Sequence, residues 1–418
     1  MADDELIYLD NNATTQLDPA VIEEMLPFFG KYYGNPSAGY LFAAQARKAV
    51  DLARDRLARL LGCEPAEIVF TSGGTESNNA VINSALQFEP RGKHVVTSAV
   101  EHSAVLRPCQ DLTKRGCDVT FLGVDRHGNV DLGELEAAIR PETTLVSMMW
   151  ANNETGVLFP VEKIAEMCRE KGVLFHTDAV QATGKIPIRL RDTAINFLSL
   201  SAHKFHGPKG VGALYVNRRT RFHPLIAGGG QENERRGGTE NVASIAGLGK
   251  AAERAAEFLS EGKAHVGSMR DRFEESILQT VSGASVNGAG AARVPNTSSF
   301  SFEGIESPAA LLLLDRHRIC CSAGSACRTG SQEASHVLRA MNPNGDDARR
   351  SLRFSFGRLN TEPQVERAME VVPKVIEKLR QMATPVRASL PSPVATALSV
   401  GPKLRERGPA APKLSESG

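Results

Sequence analysis

The sequence predicts an α/β fold, with a large domain around a mostly parallel mixed sheet and a smaller α+β domain built from both ends of the chain. Three observations carry this prediction. Short apolar runs alternate with helical patterns from about residue 66 to 260, the rhythm of βαβ units. Strand-like runs return at 296–302 and 351–356, after long helical stretches. A chain of 418 residues is also long enough to bury two cores. The expected division is a small domain from 1–20 and 260–383, a large domain from 21–259 and a tail from 384 to 418.

In chain order, Asp18 followed by Pro19 reads as the N-cap and first residue of a helix Pro19–Phe29, because the Asp carboxylate takes a first-turn N–H and Pro needs no donor there. Strands are expected at Glu67–Phe70, His94–Thr97, Thr144–Met149, Gly172–His176 and Phe197–Leu200. Helices are expected at Asn78–Leu86, Leu132–Ile139, Ile164–Glu170, Ser244–Leu259 and His265–Val281, with a last one at about 364–382. In Leu352-Arg-Phe-Ser-Phe356 the period of two puts Leu352, Phe354 and Phe356 on one face and Arg353 on the other. From Pro385 onward the 34 residues hold six prolines and no aromatic residue. Such a segment buries too little apolar surface to fold alone, so it is expected to be disordered.

Composition narrows the function. The 49 basic residues against 48 acidic ones leave no electrostatic footprint for nucleic acid or an anionic membrane. The acidic start Met1–Glu5 lacks the basic and apolar regions of a signal peptide. Apolar runs such as Leu311–Leu314 fall far short of a membrane span. The seven cysteines include no C-x-x-C pair, which suits free thiols in a reducing, cytoplasmic setting.

Four segments can carry chemistry. Thr71-Ser-Gly-Gly-Thr-Glu-Ser-Asn78 joins a strand to a helix, where glycines and unpaired helix-start N–H groups can receive an anion; an ordinary capped turn has the same look. Asp178 stands at the C-terminal end of an apolar strand, where open α/β sheets bind ligands. A protonated pyridine nitrogen is one partner for it, a structural ion pair another. Lys204 directly follows the strand Phe197–Leu200, with Ser201 and His203 beside it; a desolvated amine there can form a Schiff base, whereas Lys209 reads as a surface residue. In Cys320-Cys-Ser-Ala-Gly-Ser-Ala-Cys-Arg-Thr-Gly330 small residues surround Cys327, an expected flexible and accessible loop with Ser331 as a cap for the helix beyond. Arg328 and that helix start would favour the thiolate, while Cys320 and Cys321 read as small packed hydrophobes. His102 can stack on a ring or shuttle a proton, or serve structure alone. Arg353 can clamp a carboxylate with a two-pronged hydrogen bond, or face water. The glycine-rich stretch Gly228–Thr239 is long for a connector, and such loops are often functional.

These residues together resemble the cysteine desulfurases, pyridoxal-phosphate enzymes of the class V aminotransferase family and transferase fold type I. The likeness runs from Tyr8–Thr15 to about Met382, through Gly34-Asn-Pro36, Thr71–Asn78, Glu101-His102, Asn152–Gly156, His176–Gln181, His203-Lys204 and Ser322–Cys327. It implies that Lys204 bears the cofactor and removes the substrate α-proton, and that His102 stacks on the ring and assists proton transfer. It implies that Asp178 meets the ring nitrogen, Gln181 the ring oxygen, and that Asn153 lines the ring. Gly74, Thr75, Ser201 and His203 match phosphate-binding positions, and Thr239 the position that reaches the phosphate of the other subunit in a homodimer. Asn11 and Arg353 match contacts to the substrate carboxylate.

The implied reaction converts L-cysteine to L-alanine and leaves the sulfur as a persulfide on Cys327. The implied recipient is an iron–sulfur scaffold protein, with Cys327 as a transient ligand of a shared [2Fe-2S] cluster. Ser322–Cys327 is similar to the long-loop group. Leu9–Thr15, Met148–Asn153 and His176–Ala182 look most like the nitrogenase-dedicated type, which implies a role in nitrogen fixation. Arg328-Thr329 and the proline-rich tail depart from the family pattern and bear on the choice of acceptor. Two other readings of the same residues are a different pyridoxal-phosphate lyase or aminotransferase with Cys327 idle, and a non-catalytic sulfur-carrier scaffold.

Overall fold

The computed structural model describes residues 5–88, 92–261, 263–323 and 335–383. Twelve strands lie among them: β1 Ile7–Tyr8, β2 Ile68–Thr71, β3 His94–Ser98, β4 Asp118–Leu122, β5 Thr143–Ser147, β6 Leu174–Asp178, β7 Phe197–Ser201, β8 Gly212–Val216, β9 Ala284–Val286, β10 Thr297–Phe302, β11 Ile319–Cys320 and β12 Ser351–Ser355. Seven form one sheet in the order β2-β8-β7-β6-β5-β3-β4. Only β8 runs against its neighbours; the remaining pairs in this sheet are parallel. A mostly parallel, mixed α/β sheet was the expectation, and its buried strands read as near-continuous apolar runs because helices cover both faces.

One core fills the face of this sheet that meets the helices Ala44–Leu61 and Val242–Glu261, and a second lies under Gly74–Phe88 and Ser103–Lys114. The first helix pair touches at Gly249, where a Cβ would sit 2.4 Å from Ala53 Cα. His176 lies inside the sheet, bridging the hydroxyls of Ser147 and Ser199 at 2.8 and 3.0 Å. Burial alone lowers its pKa to about 3. A neutral imidazole therefore links β5, β6 and β7, and a one-residue slip would break both bonds.

A separate core packs around the antiparallel sheet β12-β10-β9 and the parallel pair β1-β11. It draws on both chain ends, with Ile7 and Leu9 beside Phe273, Phe300, Phe354 and Val372. Leu352, Phe354 and Phe356 enter this core together while Arg353 takes the opposite face. That face is not water, however: Arg353 is 1% exposed.

The Asp18 cap forms, its Oδ1 accepting the Ala20 N–H at 2.9 Å. The helix it starts spans Pro19–Met25 and a new turn begins at Pro27, short of the expected Phe29. Pro27 has no N–H for the residue four back and its ring crowds that carbonyl. The helix expected at Asn78–Leu86 instead begins at Gly74, so the glycine turn is its first turn. No helix among the described residues is long and apolar enough to cross a membrane. Cys327, Arg328, Ser331 and the tail 384–418 lie outside the described residues.

Candidate active site

The parallel strands deliver the predicted residues to one edge of the sheet. Gly73–Thr75 leave β2, Glu101-His102 follow β3, Trp150–Asn153 follow β5, Asp178–Gln181 end β6, and Ser201–Lys204 end β7. This carboxyl edge is where open α/β sheets bind ligands. A cavity of about 430 Å³ lies there, with Gly74, Thr75, Ser201 and His203 in its lining. His102, Asn153, Asp178, Gln181, Lys204 and Arg353 line it too.

Lys204 ends a single turn, Ala202–Lys204, that reverses the chain after β7. Its Nζ donates to the backbone carbonyls of Asn12 and Ala13, each at 2.7 Å. Asp178 is buried; its Oδ2 accepts from Asn78 Nδ2 at 2.7 Å and its Oδ1 from the Val180 N–H at 3.0 Å. Neither partner is a cation. A carboxylate at that depth needs one, because desolvation costs several kcal/mol otherwise. Gly74, also in the lining, opens a helix whose first-turn N–H groups have no intrahelical acceptor. A Cβ on Gly74 would lie 2.6 Å from Val180 Cγ2, so only glycine lets that turn approach. Burial, then Lys204 and Lys209, pull His203 down to about 4, which leaves a neutral ring bonded to the Thr14 hydroxyl at 3.1 Å.

His102 caps its own helix: Nδ1 accepts the Ala104 N–H at 3.2 Å. A neutral His102 therefore carries its proton on Nε2. Arg353 donates from one terminal nitrogen to Asp10 at 2.6 Å and from the other to the Asn153 carbonyl at 2.8 Å. Its Nε is buried without a partner among the described residues. The cavity thus joins anion-receiving N–H groups, an amine, a carboxylate with no cationic partner among the described residues, and a guanidinium. That set suits a small anionic ring and an amino-acid carboxylate.

Glu101 touches this site from behind. It is fully buried, its Oε1 accepts from the Met149 N–H and the Ser98 hydroxyl, both at 2.8 Å, and its Oε2 has no partner among the described residues. Burial is the main cause that lifts its carboxyl from 4.5 to about 8, with Asp178 adding to the rise. Below about 4.5 both folded and unfolded chains hold this proton; above it only the unfolded chain releases it, so stability falls as pH rises toward about 8. Glu101→Gln removes that titration. Its melting temperature relative to the parent is expected to climb by on the order of several degrees between about pH 5 and pH 8. A difference that stays flat across that window, measured by thermal unfolding, would show that Glu101 is ionised in the fold.

Two predicted residues lie elsewhere. Asn11 is buried outside the cavity, its amide donating to the Ser355 carbonyl at 2.9 Å and to Asn360 Oδ1 at 3.1 Å. Thr239 lines a neighbouring cavity of about 260 Å³ that shares Ser72 and Gly210 with the first. Cys327 falls outside the described residues. The sequence reading also missed Asn12, whose backbone oxygen accepts from both Lys204 and Gln181, and Lys185, which bonds Gln181 and Asn12. No local signal marks either, since their partners come from distant parts of the chain.

The family model described as Aminotransferase class-V matches residues 7–368. A protein of Sinorhizobium fredii named cysteine desulfurase is 51% identical over 377 residues, covering 90% of this chain and 97% of its own length. Cysteine desulfurase NifS of Azotobacter vinelandii is 48% identical over 378 residues, covering 90% and 94%. Among solved structures, one described as a NifS-like protein superposes with a TM-score of 0.83 at 37% identity, covering 90% of this chain and all of that one.

Proposed function

We propose that this chain, which belongs to the aminotransferase class-V family and is a pyridoxal-phosphate-dependent cysteine desulfurase, bears its cofactor on Lys204 and receives sulfur on Cys327. The reading is carried by one observation: Lys204, the buried Asp178 carboxylate and the glycine helix start all line one cavity. The donor set fits the cofactor. Gly74, Thr75, Ser201 and His203 would hold the phosphate, Asp178 the ring nitrogen and Gln181 the ring oxygen, with Asn153 and His102 against the ring. When bound, pyridoxal phosphate supplies an electron sink that lets the bonds at the substrate α-carbon and the C–S bond break.

The chain's own residues do the rest. Arg353, which lines the cavity, holds the carboxylate of L-cysteine, and Asn11 supports that end of the site through its bond to the Ser355 carbonyl. Lys204 Nζ takes the α-proton, with His102 Nε2 assisting proton transfer. The Cys327 thiolate forms an S–S bond with the substrate sulfur as the C–S bond breaks, its electron pair staying on carbon. Protonation of that carbon, with return of the α-proton from Lys204 Nζ, gives L-alanine and leaves a persulfide on Cys327.

The sulfur goes to iron–sulfur cluster assembly, through a scaffold protein as acceptor. The likeness to NifS of Azotobacter vinelandii favours service to nitrogenase, with Cys327 as transient ligand of a shared [2Fe-2S] cluster, in the cytoplasm. A homodimer completes the site, Thr239 reaching the partner's phosphate. Leu26, Phe29, Tyr33 and Leu41 are 60, 67, 73 and 92% exposed, an apolar surface that a second subunit would cover.

Mass spectrometry after brief incubation with cysteine tests the assignment of the thiol. One added sulfur atom is expected on the peptide that contains Cys327. Sulfur on Cys320 or Cys321, or on no peptide, would refute it.

A further inference from the structure

Behind Gln181 lies a lysine with an unusual set of partners. Lys185 follows the turn after β6 and is 8% exposed. Its Nζ donates to Gln181 Oε1 at 2.5 Å and to Asn12 Oδ1 at 2.8 Å. Both acceptors are amides, and no carboxylate pairs with it among the described residues. Burial, and then Lys204 and Arg353, push it well below the ordinary lysine range. The charged and titratable groups that face it are Lys204 and His206 from the turn after β7, and Arg353 from β12.

A lysine nitrogen that donates to a glutamine amide selects its oxygen. With Oε1 engaged by Lys185, the nitrogen is the end of Gln181 left for the cavity, and Nε2 donates to the Asn12 carbonyl at 2.9 Å. Asn12 Oδ1 is fixed in the same way, since it also accepts from Asn296 Nδ2 at 3.1 Å. Without Lys185 the Gln181 amide has no donor among the described residues to hold its oxygen inward, and both orientations are open.

We propose that Lys185 is a positioning residue that locks the Gln181 amide with its nitrogen toward the cavity, so that Gln181 donates to the ring oxygen of the cofactor. The proposal rests on the cofactor site described above. Its consequence is chemical: a donor on that oxygen withdraws electron density and makes a proton on the Lys204 nitrogen harder to hold. Lys185 thereby helps set the pH at which Lys204 gives up its proton.

The test is a pH titration of the visible absorbance of the holoenzyme. In Lys185→Met, which keeps the length of the side chain but donates nothing, the midpoint is expected to rise by about one pH unit. Lys185→Gln keeps a donor amide and is expected to stay within about a third of a unit of the parent. Gln181→Ala is expected to reproduce the upward shift by itself, and adding Lys185→Met to it is expected to change nothing further, because the lysine acts through the glutamine.

An unmoved midpoint in Lys185→Met overturns the proposal, as does an equal further shift on the Gln181→Ala background. Should Lys185→Met not fold, an unmoved midpoint in Gln181→Ala overturns it independently. A parent protein that binds pyridoxal phosphate but gives no band dependent on Lys204 would instead overturn the site itself, and the proposal with it.

Discussion

Lys204→Ala is expected to lose the visible absorbance near about 400 nm that marks a cofactor joined to an amine, and to lose turnover of cysteine by roughly a thousandfold or more. The effect is large because one nitrogen has two tasks, holding the cofactor and moving the α-proton. The fold should survive. The lost side chain leaves two backbone carbonyls without its donation, yet the Asn12 carbonyl still accepts from Gln181. A loss of about 1 kcal/mol per hydrogen bond leaves most of the stability in place. Absorbance spectra, thermal unfolding and alanine formation on the same preparation separate these effects. A variant that keeps the band would show that another amine carries the cofactor.

Cys327→Ala is expected to keep the visible band and lose alanine and sulfide production from cysteine by roughly a hundredfold or more. The reason lies partly in the other thiols. Burial, the leading cause in each case, pushes Cys63, Cys109 and Cys168 up to about 12. Cys320 and Cys321 are raised as well, again by burial first. The thiolate is the nucleophile, so these five are poorly poised to replace the missing one. Cys117 does not line the cavity. Turnover that persists at the parent rate would rule out the persulfide route and favour a different reaction of the same cofactor.

The segments that sequence reading placed best were those whose burial is uniform. β3 and β7 match their expected runs to within one residue, and every side chain in them is buried. Element starts were harder. The helix at Gly74 begins four residues before the expected Asn78, since glycine is a poor helix former and only the neighbouring Val180 and β7 explain why this turn coils. Pro27 was visible but its effect was underestimated, and the first helix was drawn through it.

For the site, the type of each residue and its place after a strand were readable: Asp178 after β6 and Lys204 after β7 need only local pattern and the rule that ligands meet the carboxyl edge. What each side chain touches was not. Lys204 bonds the carbonyl of a residue 192 positions away, Asn11 bonds Ser355 across 344 positions, and Arg353 finds Asp10 across 343. Asn11 and Asn12 are neighbours with the same side chain, yet only Asn12 lines the cavity.

The alternation of apolar and polar residues is a short-range code, with a period of two or 3.6. By itself it located seven of the twelve described strands and the edge at which chemistry gathers, but not the helices Ala44–Leu61 and Ser103–Lys114. The packing of the N-terminal segment against the turn after β7 and against β12 decided which amide faces the cavity, which lysine stands behind it and which carboxylate holds the arginine. Those contacts arise from burial shared between distant segments, and no window of neighbouring residues contains them.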